Sequence, residues 1–284
     1  MSRRQLLRLG WTRWQIKGEL RAMRWAAYGR QTVAVHTGAL SEHGSWWSAV
    51  FEVGAGAALD GSTALRVVGL RGFTDDLHVS TPKSARPRRP RGVVVHETRR
   101  RRPGDLAKAE LPTVRPSVAA VRAALWARSD EQSALLLALC VQQRIVSTDE
   151  LLTEFTTVRR HPRRRFLRLV LADLSNGAHS TGELEFARLC REAGLPEPDR
   201  QSRRQGPDGM FYLDTEWSQY GVVVEIDGIH HQSADQVLAD ASRQNEITLQ
   251  NSRVLRIPVL GLRLSPDTYL DQVRRLLHAA GWTG

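Results

Sequence analysis

The stretch VVVEIDGIHH, which begins at Val222, constrains the fold of this chain more than any other part of its sequence. Three consecutive valines followed by isoleucine predict a buried strand. Side chains alternate between the two faces of a strand, so the aliphatic residues at every second position share one face. Glu225 and Asp227 then lie side by side on the other face. A strand that pairs a core face with two adjacent carboxylates predicts a site as well as a core.

Two further carboxylates are predicted to converge on this strand. The segment MFYLDTEW predicts the first strand of a hairpin with VVVEIDG, which brings Asp214 towards Glu225. Ser180 and Glu183 form a capping-box pattern, and Glu183 lies within the apolar stripe of the helix that follows. Converging carboxylates repel one another unless a cation lies among them, and such clusters suit Mg²⁺ or Mn²⁺. The alternative is an acidic sheet face that holds no ligand.

The last hundred residues predict an α/β unit in the order helix, hairpin, helix, strand, helix. The polar segment SNGAHSTG before them predicts a domain boundary. We therefore expect a multidomain chain with three parts: a winged helix-turn-helix over residues 1–40, a mixed, basic α/β domain over 41–175, and an α/β domain over 176–284.

Charge is distributed unevenly between these parts. Residues 1–179 contain 30 Lys and Arg against 15 Asp and Glu, whereas residues 180–284 contain 11 against 15. A basic region of this size predicts attraction to a polyanion, most simply nucleic acid. The alternative is an arginine-rich composition without functional meaning, since the chain has only three lysines.

The first forty residues predict two short helices and a strand. RRQLLRLG ends at Gly10, Thr12 can cap the helix TRWQIKGELRAM, and QTVAVH alternates as a strand does. The second helix is the candidate reader of a groove in double-stranded DNA. Its predicted nucleic-acid contacts are Arg13, Lys17 and Arg21. The alternative is a basic hairpin that only packs on the next domain. Trp11, Trp14 and Trp25 are predicted to be core residues.

The middle part predicts strands at LHVSTP and GVVVHET, with the arginine runs SARPRRPR and RRRRPGD beside them. Such runs either straddle a phosphate backbone or belong to a solvated hairpin. The predicted nucleic-acid contacts here are Arg88, Arg89, Arg100 and Arg101.

The bulk sequence predicts a cytoplasmic protein. No run of eighteen apolar residues predicts a membrane span, and the N-terminal segment lacks the apolar core of a secretory signal. Cys140 and Cys190 lie in apolar helical patterns and are expected to be core thiols in a reducing compartment.

A carboxylate on a first helix, an aspartate on one strand and E-x-acid on the next resemble the restriction-endonuclease-like, or PD-(D/E)XK, nuclease superfamily. More narrowly, S-x-x-E, the PDG turn, E-I-D-G-x-x-H, D-x-x-R and R-V-L-R are similar to predicted nucleases related to very-short-patch-repair endonucleases. This resemblance covers roughly residues 176–280.

The basic part carries a second resemblance. LLRLGWTRWQIKGELR, AALDGSTALRVVGL and LHVSTP with VVVHET are similar to the winged-helix and middle segments of abortive-infection (type IV) antitoxin-like proteins. Where that family usually ends the stretch before the wing in a G-V-Y-like strand, this chain reads GRQTVAV.

The nuclease resemblance implies metal-dependent cleavage of a phosphodiester, with His231 near the leaving or attacking group. The implied ligands of the metal and its water are Glu183, Asp214, Glu225 and Asp227. Asp227 stands where the superfamily has lysine, and no lysine follows Lys108. Charge stabilisation would then come from a second metal, from His231 or from Arg243, unless Arg243 only pairs with Asp240 one turn earlier.

Two functions are therefore expected from the sequence. The first is a DNA-binding protein with a Mg²⁺-dependent endonuclease domain that acts in repair or defence. The second is a non-catalytic DNA-binding regulator, similar to an antitoxin or repressor, that keeps the nuclease fold as a scaffold or as a surface for a toxin partner. Cleavage of RNA is a third option, because arginines that contact a backbone do not distinguish DNA from RNA.

Overall fold

The structure is a computed structural model that describes residues 1–99, 101–176, 181–206, 209–227 and 253–284. Within these residues the chain is an α/β protein with several small sheets, as the sequence predicts.

The chain forms two compact units. Residues 1–128 and 135–159 belong to the first unit, and residues 129–134 and 160–284 to the second. The boundary expected near residue 176 from the polar segment lies inside the second unit, and the three-part division stays a prediction.

The first unit opens with α1 (Arg3–Arg8) and α2 (Arg13–Arg21), followed by a two-stranded antiparallel hairpin of β1 (Ala26–Ala27) and β2 (Val33–Ala34). Gly10, with a φ of 90°, follows the end of α1, as the sequence predicts. The helices and hairpin share a small core of Leu6, Ile16 and Val33, against which Trp11, Leu20 and Trp25 pack.

A three-stranded sheet follows in the same unit. Its elements are α3 (Glu42–Val53), β3 (Ala58–Leu59), α4 (Gly61–Val67), β4 (Leu77–Pro82) and β5 (Val93–Thr98). β4 is central, antiparallel to β3 and parallel to β5. The two predicted strands LHVSTP and VVVHET are therefore neighbours, and α3 covers their core.

Helices fill the rest of the middle of the chain: α5 (Pro116–Trp126), α6 (Asp130–Gln142), α7 (Thr148–Phe155) and α8 (Arg164–Asn176). A 3₁₀ turn over Pro103–Asp105 precedes them. α5 packs against α4 and α7. Its alanine-rich sequence allows this close approach, because small side chains bring helix backbones together.

The second unit is built on a four-stranded sheet. α9 (Thr181–Glu192) leads into β6 (Asp199–Gly206) and β7 (Gly209–Trp217), and a 3₁₀ turn over Ser218–Tyr220 connects β7 to β8 (Val222–Asp227). β7 pairs antiparallel with both neighbours, so the predicted hairpin between β7 and β8 is confirmed. β6 is an additional strand that its polar sequence, DRQSRRQG, does not predict.

The chain returns to this sheet with β9 (Arg253–Pro258), which lies parallel to β8, and ends in α10 (Val259–Leu264) and α11 (Pro266–Ala279). The strand order is β6-β7-β8-β9. The helix predicted between β8 and β9 lies outside the described residues.

The alternation predicted for β8 holds in the core of this unit. Val222, Val224 and Ile226 pack in one cluster with Phe186 and Cys190 of α9. The opposite face is also covered, because Val223 is fully buried and Glu225 is only 3% exposed. A carboxylate on β8 therefore lies in a buried environment.

Both cysteines are buried free thiols, as expected, and burial raises the pKa of each to about 12. In the described part of the chain, no helix is both long enough and apolar enough to cross a membrane.

Candidate nucleic-acid interface and candidate metal site

The start and orientation of α2 are fixed by local chemistry. Thr12 caps the helix: its Oγ1 accepts a hydrogen bond from the Gln15 amide at 3.2 Å, and its own amide donates to Gln15 Oε1 at 2.8 Å. Ile16 is buried in the small core with Leu6 and Val33. Burial of this one face leaves the opposite face of α2 towards solvent.

The solvent face of α2 carries the predicted contacts Arg13, Lys17 and Arg21, and all three are exposed. Among the residues that the structure describes, none of these cations pairs with a carboxylate. Glu19, the only acidic residue of α2, is instead paired with Arg24 at 2.6 Å. The face is therefore a patch of uncompensated positive charge.

Trp14 lies on the same face and is 78% exposed, so its prediction as a core residue is wrong. Trp11 and Trp25 do pack on the small core, with ring centroids 4.7 Å apart. Lys17 Nζ lies 5.5 Å from the centroid of the Trp14 ring, a cation–π distance. The sequence signal was the helical phase: Trp14 is two positions before buried Ile16 and so points away from it.

A groove of about 570 Å³ runs between α1 and α2. Its floor is apolar and its rim is cationic, and no carboxylate contributes to its lining. The lining residues are Arg3, Arg4, Leu7, Arg13, Ile16, Lys17, Leu20 and Gln31. The positive potential of the α2 face thus continues across to α1.

The loop of the β1–β2 hairpin is held by a single buried carboxylate. Glu52 of α3 accepts hydrogen bonds from the backbone amides of Arg30, Gln31 and Thr32 at 3.0, 2.8 and 2.7 Å. Gly29 precedes them with a φ of 148°, and a Cβ there would lie 2.4 Å from Glu52. The carboxylate fixes the loop, in which Gln31 lines the groove and the carbonyl of Arg30 accepts a hydrogen bond from Arg3 Nε, and the Arg30 side chain is exposed.

Three of the four arginines predicted as contacts in the middle part have partners within the protein. Arg88 donates from Nε to the Glu52 carbonyl at 2.7 Å, at the end of α3. Arg89 pairs with Glu97 at 2.7 Å. Arg101 donates to the Ser80 carbonyl at 2.6 Å, and Arg100 lies outside the described residues. Their contact with nucleic acid stays a prediction, and these bonds weigh against it.

A buried ionic network stabilises the same unit. Arg122 bridges the fully buried carboxylates of Asp60 and Asp105, with N–O distances of 2.8 and 2.7 Å. Burial raises the pKa of Asp60, and Arg122 acts against that rise. A buried cation between two buried carboxylates is a structural group.

Two histidines stack on a tryptophan beside this network. The His96 ring lies 3.5 Å from Trp126 between centroids, and His78 Nδ1 is 2.9 Å from His96 Nε2. His78 Nε2 in turn lies 3.1 Å from Asp75. Burial, with the charges of His78 and Arg122, lowers the pKa of His96 to about 4.

Glu225 lies in β8 and forms an ion pair with Arg256 of β9, with 3.0 Å between Oε2 and Nε. The parallel register makes this pairing direct, since Glu225 and Arg256 are partners in the ladder. The Arg256 side chain is 41% exposed, so it extends from a buried carboxylate to solvent. Arg256 is therefore a cation directly beside the buried carboxylate of Glu225.

Asp214 and Glu216 lie on the strand next to β8. Thr215 pairs with Val224, and Glu216 pairs with Val223. This register, continued by one residue, would bring Asp214 opposite Glu225. Glu216 shares the face of Val223 and is 1% exposed, which makes it a second buried carboxylate on the face of Glu225.

The structure places Glu183 in α9, Asp214 in β7 and Asp227 at the end of β8, but it does not describe these side chains. His231 and Arg243 lie outside the described residues. Among the side chains described, no group of three His, Cys, Asp or Glu could hold a metal ion. The buried carboxylates of Glu216 and Glu225 are hard oxygen donors of the kind that Mg²⁺ takes.

Comparison with protein-family models, curated proteins and solved structures finds no match to this chain.

Proposed function

We propose that this chain is a double-stranded-DNA-binding protein that uses α2 as its reading helix and the β1–β2 hairpin as a wing. The observation that carries this proposal is the solvent face of α2, on which Arg13, Lys17 and Arg21 have no carboxylate partner among the described residues. Duplex DNA presents regularly spaced phosphates, and a helix fits its major groove.

The arrangement around α2 supports a duplex ligand. The cationic rim of the groove and the exposed Arg30, whose carbonyl accepts a hydrogen bond from Arg3 Nε at 3.1 Å, extend the positive surface from α2 towards α1. In winged helix-turn-helix proteins, the reading helix enters the major groove while neighbouring elements contact the phosphates.

The test is binding of the full chain to labelled duplex DNA, duplex RNA and single-stranded DNA at fixed salt. The variant is the triple substitution Arg13→Gln, Lys17→Gln, Arg21→Gln, which we expect to weaken duplex DNA binding about a hundredfold or more. The control is Glu19→Gln with Arg24→Gln, which removes an exposed ion pair and leaves the net charge unchanged. Equal affinity of the triple variant and wild type would refute the proposal.

We further propose that the second unit cleaves DNA with Mg²⁺ or Mn²⁺. The supporting observation is the buried Glu225 on β8, with the strand that carries Asp214 on one side and Arg256 on the other. The residues that would hold the ion are Glu183, Asp214, Glu225 and Asp227. When bound, the ion would polarise the phosphoryl group and lower the pKa of a bound water.

We propose that Arg256 takes the role that the lysine has in the superfamily motif. Its guanidinium lies beside Glu225 and reaches solvent, so it can offset negative charge on a phosphate. The experiment uses supercoiled plasmid with Mg²⁺, Mn²⁺ or EDTA and compares wild type with Glu225→Gln, Asp214→Asn and Arg256→Gln. Loss of metal-dependent cleavage in all three variants, with DNA binding retained, is the expected result.

A non-catalytic regulator is the second candidate, and one observation favours it. The Glu225–Arg256 ion pair neutralises a carboxylate that a metal would otherwise use, and no lysine follows Lys108. In that case wild type binds DNA but leaves every plasmid and duplex substrate intact with either metal. Titration of Mn²⁺ against the folded protein by calorimetry separates the two candidates, since a regulator without a metal site releases no heat of binding.

A further inference from the structure

Gly18 stands in the interior of α2, where glycine is unfavourable. A glycine inside a helix costs about 1 kcal/mol relative to alanine. Gly18 does not end the helix, which continues to Arg21, and its φ is not in the left-handed region. By contrast, Gly10 has a φ of 90° and follows the end of α1.

No described residue of the protein explains this glycine. A Cβ added at Gly18 would meet no atom of the described residues within 4 Å, and Gly18 itself is exposed. A close approach between helices or to a neighbouring strand would place atoms there. The space is therefore open to solvent and accessible to a ligand.

The side chains around Gly18 on the helix surface indicate which kind of ligand could approach the backbone there. At 100° per residue, the residues Trp14, Lys17, Gly18 and Arg21 lie within an arc of about 100° on the solvent face. Gly18 lies at one edge of this arc, next to the exposed indole ring of Trp14 and nearly opposite buried Ile16, and is the position there without a side chain.

We propose that Gly18 is the point where α2 comes closest to the floor of the DNA major groove, and that Trp14 packs against base edges beside it. This inference rests on the proposed DNA-binding function. It adds how deeply α2 enters the major groove and which of its residues contact the bases. Lys17 and Arg21 lie on one side of Gly18 around the helix axis, beyond Trp14, and are placed to reach the phosphates along one wall of the groove. The major groove is about 12 Å wide, close to the diameter of a helix with side chains. Atoms added to the face of α2 that enters the groove would therefore limit how deeply the helix can insert.

The charge pattern favours duplex DNA over other occupants. Three uncompensated cations on one helical face complement a polyanion, and the A-form major groove of duplex RNA is too deep and narrow to admit a helix. An acidic protein partner would also be attracted to these cations. The two cases differ in the binding test, since a chain that recognises only an acidic protein would not bind duplex DNA.

The experiment measures duplex DNA affinity and the melting temperature of the full chain for Gly18→Ala and Gly18→Leu. Both substitutions should raise the melting temperature or leave it unchanged, because alanine and leucine favour helix. Both should weaken DNA binding, about tenfold for alanine and about a hundredfold for leucine, because added atoms keep the backbone out of the groove. Trp14→Ala should weaken binding without lowering the melting temperature.

Gly104→Ala is the matched control. A Cβ at Gly104 also meets nothing within 4 Å, its φ is not in the left-handed region, and it lies in the 3₁₀ turn instead of α2. Its DNA affinity should equal that of wild type.

Opposite changes in stability and affinity at Gly18 would support the inference. If wild type binds duplex DNA and the α2 triple variant does not, but both Gly18 variants bind within twofold of wild type, the inference is wrong while the proposed function stands. If wild type binds no duplex at all, the proposed function itself fails. Equal weakening of duplex RNA and duplex DNA binding by Gly18→Leu would also overturn the major-groove assignment.

Discussion

The cations of α2 and the arginines near β4 and β5 have the same chemistry and different surroundings. Arg13, Lys17 and Arg21 extend from a helix into solvent, and none pairs with a carboxylate in the described residues. Arg88 and Arg101 donate to backbone carbonyls of their own unit. A run of arginines in a sequence therefore predicts charge, whereas the folded structure decides whether that charge is available to a ligand.

The largest expected effect is on the buried side of this comparison. Arg122→Met removes the cation between Asp60 and Asp105 and leaves the fully buried Asp60 without its ion-pair partner, whereas Asp105 keeps Arg102 at 2.8 Å. We expect the free energy of unfolding to fall by about 3–5 kcal/mol, measured by chemical denaturation of the first unit. Arg21→Met is the control on the exposed side and should change stability by less than about 0.5 kcal/mol. Similar losses of stability at both positions would contradict the view that Arg122 stabilises the fold while Arg21 does not.

A smaller effect is expected where a buried group supports the binding surface. Glu52→Gln replaces the charged acceptor of three backbone amides in the hairpin loop. The expected loss is about 1.5–3 kcal/mol in unfolding free energy, because hydrogen bonds to a charged group are the stronger ones. We also expect faster hydrogen exchange at the amides of Gln31 and Thr32. Unchanged exchange at these amides would show that Glu52 does not hold the loop.

Arg88 is expected to act on stability and not on binding. Arg88→Gln removes bonds to the carbonyls of Phe51 and Glu52 at the end of α3, at a cost of about 1–2 kcal/mol. Duplex DNA affinity, measured well below the melting temperature, should stay within about twofold of wild type. A tenfold loss of DNA affinity in the folded variant would instead show that Arg88 contacts DNA, as the sequence predicts.

The smallest expected effect is a dependence on pH. The pKa of His96 is about 4, below the ordinary value near 6.5, so the unfolded chain binds this proton more readily than the folded one. The contribution of His96 to stability is complete above pH 6.5 and is lost as pH falls towards 4. His96→Phe keeps an aromatic ring on Trp126 and should show a weaker fall in melting temperature between pH 7 and 5. Parallel pH curves for the two proteins would contradict this assignment.

Local patterns carried most of what the sequence could predict. The cap at Thr12 and the strands β4, β5, β7 and β8 follow from capping chemistry and alternation, which act over a few residues. β6 could not be predicted, because its polar sequence forms a strand only through pairing with β7. Tertiary context decides such strands.

In the candidate site too, local patterns could be predicted from the sequence, whereas pairing between distant residues could not. The alternation in VVVEID predicts Glu225 on the face opposite Val222, Val224 and Ile226, and the structure shows that this second face is buried as well. Arg256 was not recognised as its partner, because the pairing depends on the parallel register of β8 and β9, far apart in sequence. Trp14 was misassigned because aromatic residues are usually buried, although its helical phase relative to Ile16 placed it outside.

The most direct test of the account is the salt dependence of duplex DNA binding. The slope of log K against log salt concentration counts the phosphates neutralised, at about 0.9 per contact. Replacing Arg13, Lys17 and Arg21 with glutamine should make the slope shallower by about 3, while Arg88→Gln with Arg89→Gln should leave it unchanged. An unchanged slope for the α2 variant, or an equal change for the second variant, would contradict the claim that α2 forms the DNA-binding surface.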